Sequence, residues 1–168
     1  MYEHPLGGST TLTTMLNNKT PTKIVGSLLN LDGTFWDTTG PRPIPNPTPP
    51  SYIVRAPFLM FGVPRHSCAE DESWAAVYGH VLKGWKRELS LEGAVHGTYS
   101  DFPAIVDLFG ARSLLPKDSV DEAVGTIPGV RSLEIIREIV ACFVSFAFRG
   151  DNGCKNRVAI QLSRDISR

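Results

Sequence analysis

The chain has 168 residues, 42% of them hydrophobic and 20% charged, and its 17 basic and 17 acidic side chains cancel to a formal net charge of zero. That length fits a single domain, 1–168, with enough apolar material for a real core. The charge balance, without a basic stripe or aromatic–basic interleaving, argues against nucleic-acid binding. No window of about 18 apolar residues is present, so no transmembrane helix is expected. No basic start followed by an apolar stretch marks a signal peptide.

The first motif is Glu3-His4-Pro5-Leu6-Gly7-Gly8, which leads into a short Thr-rich helix ending near Leu16. Threonine is a mediocre helix former, so that helix draws little on intrinsic propensity. Ile24 to Leu31 is a short apolar run closed by Asp32, the pattern of a strand buried on both faces. Between them, Asn18-Lys19-Thr20 is a glycosylation sequon, meaningful only in a secreted protein. Residues 37–57 carry Pro41, Pro43, Pro45, Pro47, Pro49 and Pro50, which exclude a helix or central strand. An extended surface loop is expected there, either a functional lid or a variable insertion.

Phe58 to Val63 is a second buried-strand candidate, followed by a helix over Ser73 to Gly84 with Asp71 and Glu72 at its positive end. Trp74, Val77, Val81 and Leu82 give that helix its apolar face. Arg87 to Leu91 alternates as a sheet-edge strand does, and the loop Gly93-Ala94-Val95-His96-Gly97 comes directly after it. A short helix is expected over Pro103 to Phe109. The longest one covers Arg131 to Arg149, with a core stripe of Leu133, Ile136, Val140, Phe143 and Ala147 and a stop at Gly150. The tail, 155–168, shows no firm pattern. Cys68, Cys142 and Cys154 are too few and too scattered for a disulfide framework. Cys142 falls on an apolar helix face and reads as core, and a Cys68–Cys154 bridge is left open. None of the three has a metal-ligand spacing.

Alternation of apolar strands with helices predicts an α/β fold, a mainly parallel sheet with helices on both faces. Chemistry in such sheets sits on loops at the carboxyl ends of strands. Asp32 and His96 both lie there, one ending a strand and one following a strand.

Residues 3–8 resemble the nucleophile elbow G-x-S-x-G of an α/β-hydrolase, with Pro5 in the serine position and Glu3 at the first glycine. The order elbow, acid, histidine is the triad order of that fold. His4-Pro5-Leu6-Gly7-Gly8-Ser9-Thr10, Asn30-Leu31-Asp32-Gly33-Thr34-Phe35 and Gly93 to Asp101 together resemble three motifs of the platelet-activating factor acetylhydrolase-like, or plasma-type, lipase family, especially its fungal and bacterial members. The resemblance runs from the elbow to the long C-terminal helix and matches the second half of such an enzyme, so a truncated domain is expected.

It implies hydrolysis of short-chain esters, including the acetyl ester of platelet-activating factor and oxidised phospholipids. No metal or other cofactor is implied, and a secreted setting is common in the family. It makes Asp32 the triad acid, His96 the general base and the Leu6 backbone N–H an oxyanion donor. Phe35 and Trp36 would line the acyl or alkyl pocket.

Other readings stand beside these. Asp32 could be a turn cap, and Asp71, also after a strand, is the second candidate acid. Phe35 and Trp36 could be core. His4, His66 and His80 read as ordinary surface or core histidines. Proline has no hydroxyl, and its φ near −65° opposes the strained elbow, so this copy is expected to be catalytically impaired. Ser9, four residues on, lies inside the helix and would point elsewhere. The alternative function is a non-catalytic lipid- or partner-binding pseudo-hydrolase. A bare apolar edge on the Ile24–Leu31 strand would favour self-association.

Overall fold

The structure is a computed structural model that describes residues 2–3, 7–16, 26–35 and 53–160. Its centre is a parallel sheet of four strands in the order β1 (Tyr2–Glu3), β2 (Leu28–Leu31), β3 (Phe58–Gly62) and β4 (Lys86–Ser90). Sequence order equals spatial order, so all crossovers run the same way across the sheet. Helix α1 (Gly7–Leu16) links β1 to β2, and α2 (Glu72–Ala76) lies between β3 and β4. After β4 come α3 (Phe102–Leu108), α4 (Lys117–Val124), α5 (Gly129–Arg149) and α6 (Asn152–Ile160).

The period-two alternation of the strands divides the core. Leu28, Phe58 and Met60 face one side, packed with Leu12 of α1 and with Trp74, Val77 and Val81. Leu29, Leu31, Leu59, Phe61 and Leu89 face the other, against Ile135, Ile136, Ile139 and Phe143 of α5. A sheet covered on both faces must be apolar on both, which is why β2 and β3 read as continuous hydrophobic runs. Each fully buried side chain of this size contributes about 1.5–3 kcal/mol.

Several elements differ from the sequence reading. The helix expected over Ser73 to Gly84 is two pieces, α2 and a π-helical turn, Val77–Val81, closed by Leu82 N–H donating to Val77 O at 3.0 Å. The wide turn lets Val77, Val81 and Leu82 all face the core. The buried face of α5 is broader than the expected stripe and shifted from it: Ser132, Ile135, Ile139 and Cys142 are buried, while Leu133, Val140 and Ala147 are half-buried. Helix α4 and the helical start of the tail, α6, were not legible as elements. Val54, inside the expected surface loop 37–57, is buried and bridges to Leu82; residues 36–52 lie outside the described residues.

Cys142 pairs with Cys154 in a disulfide, and Cys68 is the unpaired thiol, so the Cys68–Cys154 alternative is corrected. The reason is proximity: α6 folds back on α5 after the left-handed turn at Gly150. The edge of β2 is not bare, because Tyr2 and Glu3 pair with Leu29 and Asn30. No helix among the described residues is long and apolar enough to cross a membrane.

Candidate active site

Asp32 is the first residue beyond β2. It has a positive φ of 52°, unusual for a residue other than glycine and best tolerated by Asp and Asn. A buried turn holds it there: Asn30 Nδ2 donates to Gly33 O at 2.7 Å, and Gly33 N–H donates back to Asn30 Oδ1 at 3.0 Å. The Asp32 N–H donates to Phe61 O at 2.9 Å, tying the turn to β3. Strain of this kind costs about 1–3 kcal/mol and persists where surrounding structure over-determines it.

His96 opens a 3₁₀ turn, His96–Tyr99, that follows β4 by a short loop. The turn is pinned on three sides. Tyr99 Oη donates to Gly62 O at 2.7 Å, and Thr98 Oγ1 donates to Val124 O at 3.0 Å while accepting from Val95 N–H at 2.9 Å. Gly97 lies so close to α4 that a Cβ there would stand 2.3 Å from Ala123 O.

These two turns bring the acid and the histidine together. His96 Nδ1 lies 2.6 Å from Asp32 Oδ2, although 64 residues separate them. The carboxylate is buried, with 2% of its side chain exposed, whereas the His96 side chain is 48% exposed. Committing Nδ1 to the carboxylate places the imidazole's basic lone pair on Nε2. A cleft of about 520 Å³ opens beside His96, lined by Val63, Pro64, Arg65, Ala94 and Val95 and bordered by Asp118 and Glu122 of α4.

The other carboxylate oxygen is also engaged. Asp32 Oδ1 accepts from Val63 N–H at 3.1 Å and lies 2.9 Å from His66 Nδ1. Burial opposes the Asp32 charge, but the His66 and His96 hydrogen bonds, the His66 charge and the Val63 N–H outweigh it, so the carboxyl is held below its ordinary range. His66, read from sequence as an ordinary surface or core histidine, is paired here with the candidate acid. The missed signal was its position, four residues beyond β3 on the same carboxyl edge as Asp32 and His96.

Asp71, the second candidate acid, lies with its Oδ2 3.0 Å from His66 Nε2. It caps α2, accepting from Ser73 N–H at 2.7 Å and Trp74 N–H at 3.1 Å. His80 is exposed on the π-helical turn. Phe35, expected at the acyl pocket, is only 4% exposed, and its ring packs against Phe58 and Trp74 at centroid distances of 6.1 and 6.3 Å, so its visible role is in the core. Ser9 on α1 donates to Thr34 O at 2.9 Å. His4, Pro5, Leu6 and Trp36 lie outside the described residues.

Over 154 residues the chain is 32% identical to a probable 1-alkyl-2-acetylglycerophosphocholine esterase of Arthroderma benhamiae, covering 89% of this chain. The chain thus resembles the platelet-activating factor acetylhydrolase-like esterases. Among solved structures, this chain is similar to a ferulic acid esterase from Streptomyces cinnamoneus, with a TM-score of 0.66 and 30% identity over 88% of this chain. That likeness supports the partial α/β-hydrolase fold. The chain spans 38% of the curated relative's length and 39% of the solved chain's. No protein-family model matches it.

Proposed function

We propose that the chain carries the acid and the general base of a serine carboxylic-ester hydrolase of the platelet-activating factor acetylhydrolase type, acting on short-chain esters including phospholipid acetyl esters. The observation that carries this reading is the 2.6 Å contact between His96 Nδ1 and the buried Asp32 Oδ2 at the carboxyl edge of a parallel sheet. In such a pair, the histidine Nε2 accepts the nucleophile's proton and returns it to the leaving alcohol. The carboxylate fixes the tautomer and stabilises the imidazolium that forms. The Leu6 backbone N–H, next in sequence to the nucleophile position, would steady the developing oxyanion.

Pro5 occupies the nucleophile position and cannot form an acyl-enzyme. The proposal therefore includes catalytic impairment of this chain as it stands. Treatment of the purified protein with a fluorophosphonate serine probe and p-nitrophenyl acetate tests both parts. The expected result is no serine labelling in the natural chain, and labelling in Pro5→Ser that His96→Ala removes. Labelling at any serine of the natural chain, with turnover abolished by His96→Ala, overturns the impairment. Labelling of Pro5→Ser that is indifferent to both His96→Ala and Asp32→Asn overturns the acid–base assignment.

A further inference from the structure

His66 sits between two carboxylates. Its Nδ1 is 2.9 Å from Asp32 Oδ1 with hydrogen-bond geometry, and its Nε2 is 3.0 Å from Asp71 Oδ2, an ion contact off the line of a hydrogen bond. The ring is 16% exposed and tilted against the buried Trp74 ring at a centroid distance of 4.5 Å. Trp74 is itself fixed by its indole N–H, which donates to Gly33 O at 2.9 Å, one residue beyond the acid. The charged groups facing His66 are Asp32 from the end of β2 and Asp71 from the cap of α2. Arg65 precedes it on its own loop and is exposed.

A carboxylate can rotate about its terminal bond, and only its hydrogen-bond partners fix the plane. Asp32 Oδ2 serves His96, while Oδ1 is held by the Val63 N–H and the His66 ring. We propose that His66 is a positioning residue for the acid: its Nδ1–H clamps Asp32 Oδ1 so that Oδ2 stays aimed at His96, and Asp71 and Trp74 hold the clamp in place. This rests on the reading of Asp32 and His96 as an acid–base pair. Burial alone would favour neutral His66, but hydrogen bonding and charge from Asp32 and Asp71 raise its pKa, consistent with a ring protonated at both nitrogens.

The test is ¹⁵N-edited NMR of the imidazole rings, which reads tautomer and titration without requiring activity. In the natural protein His96 is expected as the Nδ1–H tautomer with a protected low-field proton. His66→Asn places an amide N–H near the former Nδ1 and is expected to keep that signal. His66→Phe keeps a ring on Trp74 without a donor, and His66→Gln moves its amide toward Asp71; each is expected to lose the protected proton and to move the His96 Nδ1 resonance. A folded His66→Phe or His66→Gln that leaves both His96 readouts unchanged overturns the proposal.

The unsubstituted protein gives an independent measurement, because a clamped His66 must show slowed Nδ1–H exchange and a titration displaced upward from the ordinary histidine value of 6.5. Absence of both also overturns the proposal. If His96 in the natural protein lacks the Nδ1–H tautomer and is insensitive to Asp32→Asn, the acid–base reading fails instead.

Discussion

At the scale of single residues, the site is a set of charges whose balance depends on pH. Asp32 has a lowered pKa in the folded chain, with burial overcome by its two histidines and the Val63 N–H. A carboxyl of this kind stabilises the fold above its ordinary value of 3.8 and loses that contribution as pH falls through the lower folded value. His66 has the opposite sign: burial opposes its charge, Asp32 and Asp71 outweigh burial, and its pKa rises above 6.5. Its contribution is complete below 6.5 and is lost as pH rises through the raised value. The two together predict greatest stability on the weakly acidic side of neutrality. Urea midpoints measured across pH should fall on both sides of that range, and His66→Phe should flatten the alkaline fall while leaving an acid fall. An alkaline limb identical in the two proteins counts against a charged His66.

At the scale of elements, the 3₁₀ turn His96–Tyr99 aims the general-base candidate, and Gly97 controls how closely the turn meets α4. A methyl group at Gly97 would lie 2.3 Å from Ala123 O, a backbone atom with little room to yield. Gly97→Ala is expected to destabilise the fold by about 1–3 kcal/mol, the usual cost of overpacking. It should also displace His96 from Asp32, seen as loss of the protected Nδ1–H proton. Unchanged urea stability and an unchanged His96 signal would show that α4 moves aside without consequence.

The same elements show what sequence can reveal. Strands β2 and β3 were legible because burial on both faces leaves an apolar run, and Asp32 and His96 stood out as candidates because Asp32 ends such a run and His96 lies in the short loop after the edge strand. Helix α4 was not, since it buries little beyond Val120 and Val124 and carries no long apolar stripe. His66 was hidden because its meaning depends on how the loop after β3 bends toward Asp32, a tertiary fact. Phe35, the last residue of the acid's motif, turns into the core on the α1 and α2 side.

At the scale of the whole molecule, the two sides of the sheet are secured differently. The α1 and α2 side relies on apolar packing around Trp74, with Asp71 capping α2. The α5 side combines packing with the Cys142–Cys154 disulfide, which ties α6 to the helix it folds back upon. The cross-link spans a sequence separation of 12, and chain-entropy arguments give about 3 kcal/mol for a loop of that order. Cys142 lies in the α5 core cluster, and Cys154 packs at that cluster's border, so the bridge joins α6 to the core rather than joining distant halves of the chain. Reduction should therefore act locally first. Thiol titration of the unfolded, unreduced chain should find one reactive thiol, Cys68. After reduction, hydrogen exchange should accelerate in Asn152–Ile160 while β2 and β3 remain protected, with at most about 3 kcal/mol lost from global stability. Three titratable thiols before reduction, or exchange in α6 unaffected by reduction, would show that packing of α6 on α5 holds this side of the sheet without the cross-link.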